Sequence, residues 1–341
     1  MDLARPEDQE TRCVSKHGQL LLHSAAETQT IESPRYSPEI DRADLCRLLT
    51  EALDDDDTIA WGHKLQSVTQ DEANAYQLTF TNGATASADL VIGADGAWSR
   101  VRTLVSSERP TYTGATFFDC TLRDFDKRFP ELVDLVGHGT LFAFHGGEIV
   151  IAQRNGYGVL RVYLGFCVSE DWCKTSELVL APMNDRERIE KLLETHYRDW
   201  SDDFQRLIRA AGSAVDDSDR MVARPLYALP VGFSWPHRAG VTLLGDAAHV
   251  MSPCAGQGVN TALTDCVELA RALAPVLSKS EVSMEDVSKA VAQFEEAMAT
   301  RVTEATTESA RNLHMFMHEE TSKMVAMLKQ LGVQPDSELE A

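Results

Sequence analysis

Leu243-Leu244-Gly245-Asp246-Ala247-Ala248-His249-Val250-Met251-Ser252-Pro253-Cys254-Ala255-Gly256-Gln257-Gly258-Val259-Asn260 is the stretch on which the reading of this chain turns. An apolar, partly β-branched run ends in Gly-Asp, a proline-bearing loop follows, and Gly256-Gln257-Gly258 opens a helix. A helix starts with backbone amides that its own turns cannot satisfy, and its dipole favours negative charge there. Asp246, at the carboxyl end of a strand, is an acceptor suited to hydroxyl groups. So many special positions at fixed spacing point to a ligand-holding strand–loop–helix unit.

A second unit lies upstream, Val91-Ile92-Gly93-Ala94-Asp95-Gly96-Ala97-Trp98-Ser99-Arg100-Val101-Arg102. A short buried strand, Leu90 to Ile92, delivers Asp95 to the edge where ligands of open α/β sheets gather. Its two glycines permit a tight turn and close backbone approach. An ordinary strand-to-helix turn fits the same residues, since Asp-Gly is common in turns.

Between and around these units the pattern alternates. A helix is expected over the segment from Ser37 to Leu53, with Leu45, Leu48, Leu49 and Leu53 on its apolar face and Asp41 as its cap. The acidic run Asp54 to Asp57 reads as a solvated turn. Tyr76, Leu78 and Phe80 alternate as in a half-buried strand, and Asn82-Gly83 signals a tight turn. Residues 140–153 and 158–168 read as antiparallel strands, 184–211 as helical, and the prolines of Ala223 to Val231 keep that piece extended. The helix after Gly256 has apolar positions Val259, Leu263, Val267, Ala270 and Leu273. A long helical pattern from Met284 to about Leu331 carries Phe294, Met298, Val302, Leu313 and Phe316. The order suggests an α/β domain interrupted by a sheet-rich insertion. The expected parts are a first portion of the cofactor domain at 1–111, a β-rich substrate domain at 112–230, the second portion of the cofactor domain at 231–283, and a C-terminal helical region at 284–341.

The whole chain has 341 residues, 43% hydrophobic and 25% charged, an ordinary globular composition. Its net charge of −21 argues against nucleic-acid and anionic membrane partners. The seven cysteines form no CxxC pair, which suits reduced thiols in a cytoplasmic protein. The polar start has no signal-peptide character, and no apolar run reaches the roughly 18 residues of a membrane span.

The two units together, with Pro38 to Leu49 ahead of them, resemble the internal motifs of class A flavoprotein monooxygenases of the p-hydroxybenzoate hydroxylase fold. Within that family the chain is most similar to the tetracycline-degrading branch and its fungal relatives. The resemblance runs from about Asp2 to the end of the long helix. It implies an α/β, Rossmann-like, three-layer FAD-binding domain with an inserted β-rich substrate domain. It further implies that Arg42 contacts FAD from its helix, and that Asp95 and Gly96 lie near the pyrophosphate and the NAD(P)H path. Gly245 and Asp246 would hold the ribityl chain, with Pro253 against the flavin. Gly256, Gln257, Gly258, Val259 and Asn260 would set backbone amides along the pyrimidine edge, where reduced flavin carries its negative charge. NADPH or NADH would reduce FAD, O2 would add to give a C4a-hydroperoxide, and oxygen would pass to an aromatic or polyketide-like small molecule. The family also opens with a strand, a G-x-G-x-x-G turn and a helix. No such run occurs here, and Gly18 is the first glycine. The expectation is a chain without that unit, by a missed exon or by loss, whose parallel sheet lacks its central strands. The alternative is a truncated, catalytically impaired paralogue acting at most as a binding or interaction protein.

Five weaker features have bland readings beside functional ones. His314 and His318 have metal-ligand spacing but no third ligand, so a solvated helix face is favoured. His249 suits catalysis or packing behind the loop, and Cys254 suits a small filler rather than a reactive thiol. The methionines at 298, 315, 317, 324 and 327 suit packing, or a pliable substrate wall. Phe117, Phe142, Phe144 and Tyr163 are candidate pocket-lining residues, though core packing is the commoner use.

Overall fold

The structure is a computed structural model, and it describes residues 10–24, 39–53, 58–71, 75–214, 219–318 and 326. The acidic run at 54–57, Met324 and Met327 lie outside the described residues. In chain order come β1 (Thr11–Val14), β2 (Leu20–Ser24), α1 (Arg42–Glu51), β3 (Leu65–Gln70), β4 (Tyr76–Phe80), β5 (Thr85–Ala88) and β6 (Val91–Gly93). Next are β7 (Thr111–Leu122), α2 (Phe125–Arg128), α3 (Val133–Val136), β8 (Thr140–His145), β9 (Glu148–Arg154) and β10 (Leu160–Cys167). Then follow α4 (Glu170–Thr175), α5 (Glu177–Leu180), α6 (Asp185–Thr195), α7 (Asp202–Ala211) and β11 (Val222–Ala228). The remaining elements are β12 (Val241–Leu243), the one-turn α8 (Asp246–His249), α9 (Gly258–Leu277) and α10 (Met284–His318). They group into two compact units, one of residues 1–54, 114–226 and 314–341, the other of 55–113 and 227–313. The first strands and α1 thus group with the large sheet, not with the motif-bearing strands.

The first unit is built on a seven-stranded sheet of order β11-β7-β10-β9-β8-β1-β2. Gly146 and Gly147, both at positive φ, close the β8–β9 hairpin, so that residues 140–153 form two antiparallel strands. Pro225 is tolerated in β11 because that strand is an edge and needs fewer amide donors. On one sheet face Phe118, Cys120, Val150, Ala152, Val162 and Leu164 pack against Leu192, Phe204 and Leu207 of α6 and α7. The helical stretch at 184–211 divides in two, with α6 started by a reciprocal capping box between Asn184 and Glu187. Asp41 does sit before α1 but caps nothing: its carboxylate accepts from Asn155 Nδ2 at 2.7 Å and from the Gly156 amide at 3.1 Å. No residue of α1 is buried: Leu45 is half-buried, and Leu48 and Leu49 are exposed, Leu49 by 52%.

The second unit pairs β6 with β12 in parallel, Val91 opposite Val241 and Gly93 opposite Leu243. The antiparallel β3-β4-β5 sheet supplies a further layer through Val68 and Tyr76, and α9 and α10 supply the helical one. One core joins all of these, from Val91 and Leu243 to Leu269, Val291, Phe294 and Met298. This is the three-layer arrangement expected of the α/β domain. Gly93 has no room for a side chain, since a Cβ there would lie 2.6 Å from Leu243 and 2.7 Å from Val101. The run at Leu90 to Ile92 is buried only in part, because Ile92 is 41% exposed.

The face that α9 buries differs from the one its apolar spacing selects. Thr261, Asp265, Leu269 and Leu273 are inside, while Val259 and Val267 are exposed by 54% and 47%. The helix carries apolar residues on both sides, so periodicity alone does not choose between them. Val267→Lys should therefore change stability by no more than about 0.5 kcal/mol in a urea titration. A loss above about 2 kcal/mol would show that this side is covered in solution.

Candidate cofactor site

The strand-end turn at Gly245 is the centre of the site. Gly245 has φ +57, a conformation that costs other residues steric strain, and a Cβ there would approach Ala262 of α9 to 3.3 Å. Its amide donates to the Asp265 carboxylate at 2.9 Å, which draws the turn onto the second turn of α9. Asp246, next in the chain, is exposed, and its carboxylate makes no hydrogen bond or ion pair among the described residues. Gly256, at φ +64 with open space around it, delivers the chain into α9. The first α-helical bond there is Thr261 N to Gln257 O at 2.9 Å, and Gln257 lends no side-chain cap. The amides of Gly258, Val259 and Asn260 are therefore left for an outside acceptor. Gln257, Val259, Asn260 and Pro253 are exposed.

The upstream unit is tied to this one. The Asp95 carboxylate is engaged at home, accepting from Ser99 Oγ at 2.5 Å and from the Arg100 amide at 2.7 Å. It also accepts from the Val101 amide at 3.4 Å, where the short 3-10 turn Val101–Leu104 begins, and so holds the loop through Gly96, at φ +80, in shape. Arg102 is the residue that sequence reasoning passed over. It is buried, and donates to Ala247 O at 2.8 Å and Ala97 O at 2.5 Å, so one side chain fastens the Gly96 loop to α8. Burial lowers its pKa below the usual guanidinium value. Arg42 stands on α1 of the other unit, exposed.

His249 is 3% exposed, with Nε2 bound to Asp265 at 2.6 Å, and so serves the interior of the loop rather than its surface. Burial pushes the Cys254 thiol up to about 11, which leaves it a poor nucleophile near neutral pH. The rings of His314 and His318 lie 5.0 Å apart, tilted by 43°, and the described residues hold no cluster of metal-ligating side chains. Met298 and Met317 are buried packing residues. No described helix is long and apolar enough to cross a membrane.

Asp265 adds a pH term. Burial alone would raise its carboxyl, but bonds from His249, the Gly245 amide and Arg301 outweigh that and hold it below 3.8. A depressed folded-state value stabilises the fold fully above the unfolded value, and that contribution is lost as pH falls through the folded one. Stability should therefore drop below about pH 4, and Asp265→Asn should flatten that acid limb in urea midpoints compared across pH.

The FAD binding domain family matches residues 7–198 and 234–327. The chain belongs to this family. It is similar to monooxygenase asqM of Emericella nidulans, 29% identical over 335 residues that span 85% of this chain and 75% of that protein. It is 30% identical to monooxygenase penA of Penicillium thymicola over 332 residues, 87% of this chain and 75% of that protein. Among solved structures, HpxO of Klebsiella pneumoniae complexed with FAD and uric acid superposes with a TM-score of 0.75 at 19% identity, over 99% of this chain and 80% of that one. The tetracycline destructase Tet(55) does so with a TM-score of 0.67 at 21% identity, over 96% and 78%. These likenesses establish the fold, and the family with its fungal relatives makes the chain an FAD-dependent monooxygenase. The residues present fit the flavin half of FAD: a carboxylate at the strand end and three helix-start amides without partners among the described residues, and a Gly256 turn with open space around it.

Proposed function

We propose that the chain inserts one oxygen atom of O2 into an electron-rich aromatic or polyketide-like small molecule, with NADPH or NADH as reductant. Bound FAD supplies hydride acceptance and oxygen activation. The observation that carries the reading is the Asp246 carboxylate, which has no partner among the described residues, held beside the α9 start whose first amides lie ahead of the first helical bond. Asp246 accepts from ribityl hydroxyls, and the amides of Gly258, Val259 and Asn260 meet negative charge on the pyrimidine side. Gly245, Gly256 and Gln257 shape the turns that allow this approach, and Pro253 lines the loop beside the reacting face. Asp95 and Gly96 contribute through the shape of their loop near the pyrophosphate.

The sheet of the first unit supports the substrate class. Strand register sets Phe117, Asp119, Phe142, Phe144, Arg161 and Tyr163 on the face opposite the α6–α7 core. Phe117 and Phe144 are buried, Phe144 beneath Phe316 with ring centroids 5.0 Å apart, whereas Phe142 and Tyr163 are half-buried. Asp119 is shared by two cations: Arg161 Nη2 reaches both its oxygens at 2.5 Å, and Arg224 Nε donates at 2.8 Å. Two positive charges against one negative leave an excess beside aromatic rings, which suits an enol or phenol that ionises. Arg224→Ala should raise KM for an acidic phenol about 10-fold and leave a neutral isostere nearly unchanged, as loss of one charged hydrogen bond requires. The overall test is the purified chain. Bound flavin, substrate-stimulated NADPH oxidation and a product heavier by one oxygen are expected; a colourless protein that FAD cannot reconstitute rejects the reading for this chain.

A further inference from the structure

The loop from Gly245 to Gly256 has few internal bonds, yet it must hold a carboxylate and several turns in fixed places. Its anchors come from two helices. Asp265 of α9 is fully buried; one oxygen takes the Gly245 amide at 2.9 Å and the His249 ring at 2.6 Å, while the other takes Arg301 Nη2 of α10 at 2.7 Å. Farther along α10, Ser309 Oγ donates to Ser252 O at 2.8 Å and lies 2.7 Å from Ser252 Oγ. One turn on, Asn312 Nδ2 donates to Cys254 O at 3.2 Å. Ser309 and Asn312 are buried. With 3.6 residues per turn, Arg301, Ser309 and Asn312 fall within about 80° of arc, on one face of α10.

We propose that Asp265, together with Arg301, Ser309 and Asn312, forms a splint of positioning residues that sets the flavin loop from behind and thereby sets FAD affinity. The splint touches the loop at both ends: Asp265 at the strand-end turn that presents Asp246, Asn312 at the turn that starts α9. None of the four contacts needs to meet the cofactor. The Asp265 carboxylate is the critical member, because it is the acceptor for a backbone amide, an imidazole and a guanidinium at once, and Arg301 balances its charge. Asparagine in its place retains one acceptor oxygen but turns its amide NH2, a donor, toward donors, so that at least one of them is stranded.

The test compares Asp265→Asn, Arg301→Met and Arg301→Lys with Leu269→Ala, a buried apolar truncation on the same helix. FAD affinity is read by flavin fluorescence quenching, the stability of the apoprotein by urea titration, and protection of the Gly245 amide by hydrogen exchange. Partners that orient a binding group without touching its ligand carry about 10- to 100-fold in affinity. Asp265→Asn and Arg301→Met should weaken FAD by at least 10-fold and speed Gly245 exchange by a similar factor, and Arg301→Lys should recover most of both. Leu269→Ala should lower stability as much while moving FAD affinity less than 3-fold. Proportional losses of affinity and stability across all four variants, or failure of lysine to rescue, would overturn the splint. The affinity readout rests on the proposed flavin site; Gly245 exchange does not. A wild-type chain that takes no FAD would reject that site, while unchanged Gly245 exchange in Asp265→Asn and Arg301→Met would reject the splint on its own.

Discussion

Asp246→Ala is expected to weaken FAD binding by about 10- to 100-fold and to leave the fold almost as stable as before. The magnitude follows from the chemistry of one carboxylate accepting hydroxyl bonds. Hydrogen bonds to a charged group contribute about 1.5–3 kcal/mol, and about 1.4 kcal/mol is a factor of ten in affinity. The small stability change follows from geometry. Asp246 is exposed and bonds to nothing else among the described residues, so its removal strands no partner. Its only structural contribution is as a negative charge in the first turn of α8, about 1 kcal/mol at most. Equilibrium FAD titration beside a urea curve of the apoprotein separates the two effects. An affinity change under 3-fold would take Asp246 out of the site.

Gly240→Ala should have the largest effect on stability, about 2–5 kcal/mol. Gly240 has φ +76, and a Cβ there would stand 2.7 Å from Asp89 O and 2.7 Å from Tyr76 Cε2. Neither obstacle can yield. Asp89 O belongs to backbone two residues before β6, and Tyr76 is fully buried with its hydroxyl donating to Ala239 O at 2.8 Å. Gly240 O also accepts the Val91 amide at 2.9 Å, so displacing it loosens β12 from β6 at the point that feeds Gly245. Left-handed backbone costs a side chain about 1–2 kcal/mol, and overpacking a further 1–3 kcal/mol. Gly232→Ala is the matched comparison, with φ +75 and nothing within 4 Å of its Cβ. It should show the backbone cost alone. Equal urea midpoints for the two variants would disprove the collision.

Strands, turns and the course of the loop from Gly245 to Gly256 were legible because their signals are local. Asn82-Gly83 closes the β4–β5 hairpin with Gly83 at φ +85, and Gly256-Gln257-Gly258 starts α9 where the spacing placed it. The uses of the carboxylates were not legible. Asp41 looked like a helix cap, yet it bonds Asn155, 114 residues away. Asp95 looked free for a ligand, yet Ser99 and Arg100 occupy it.

The amino-acid order alone determined the type of unit and its chemistry: a strand ending in Gly-Asp, a helix opened by glycines, and the family to which that pairing belongs. Each of these rests on backbone conformations that neighbours in sequence impose. Only the tertiary structure decided that Asp265 is the inner face of α9, that Arg301 neutralises it from 36 residues away, and that Arg102 reaches Ala247 across 145. A helix with apolar residues on both sides does not declare which one it buries. A carboxylate, likewise, is committed only when the donors that fold against it arrive.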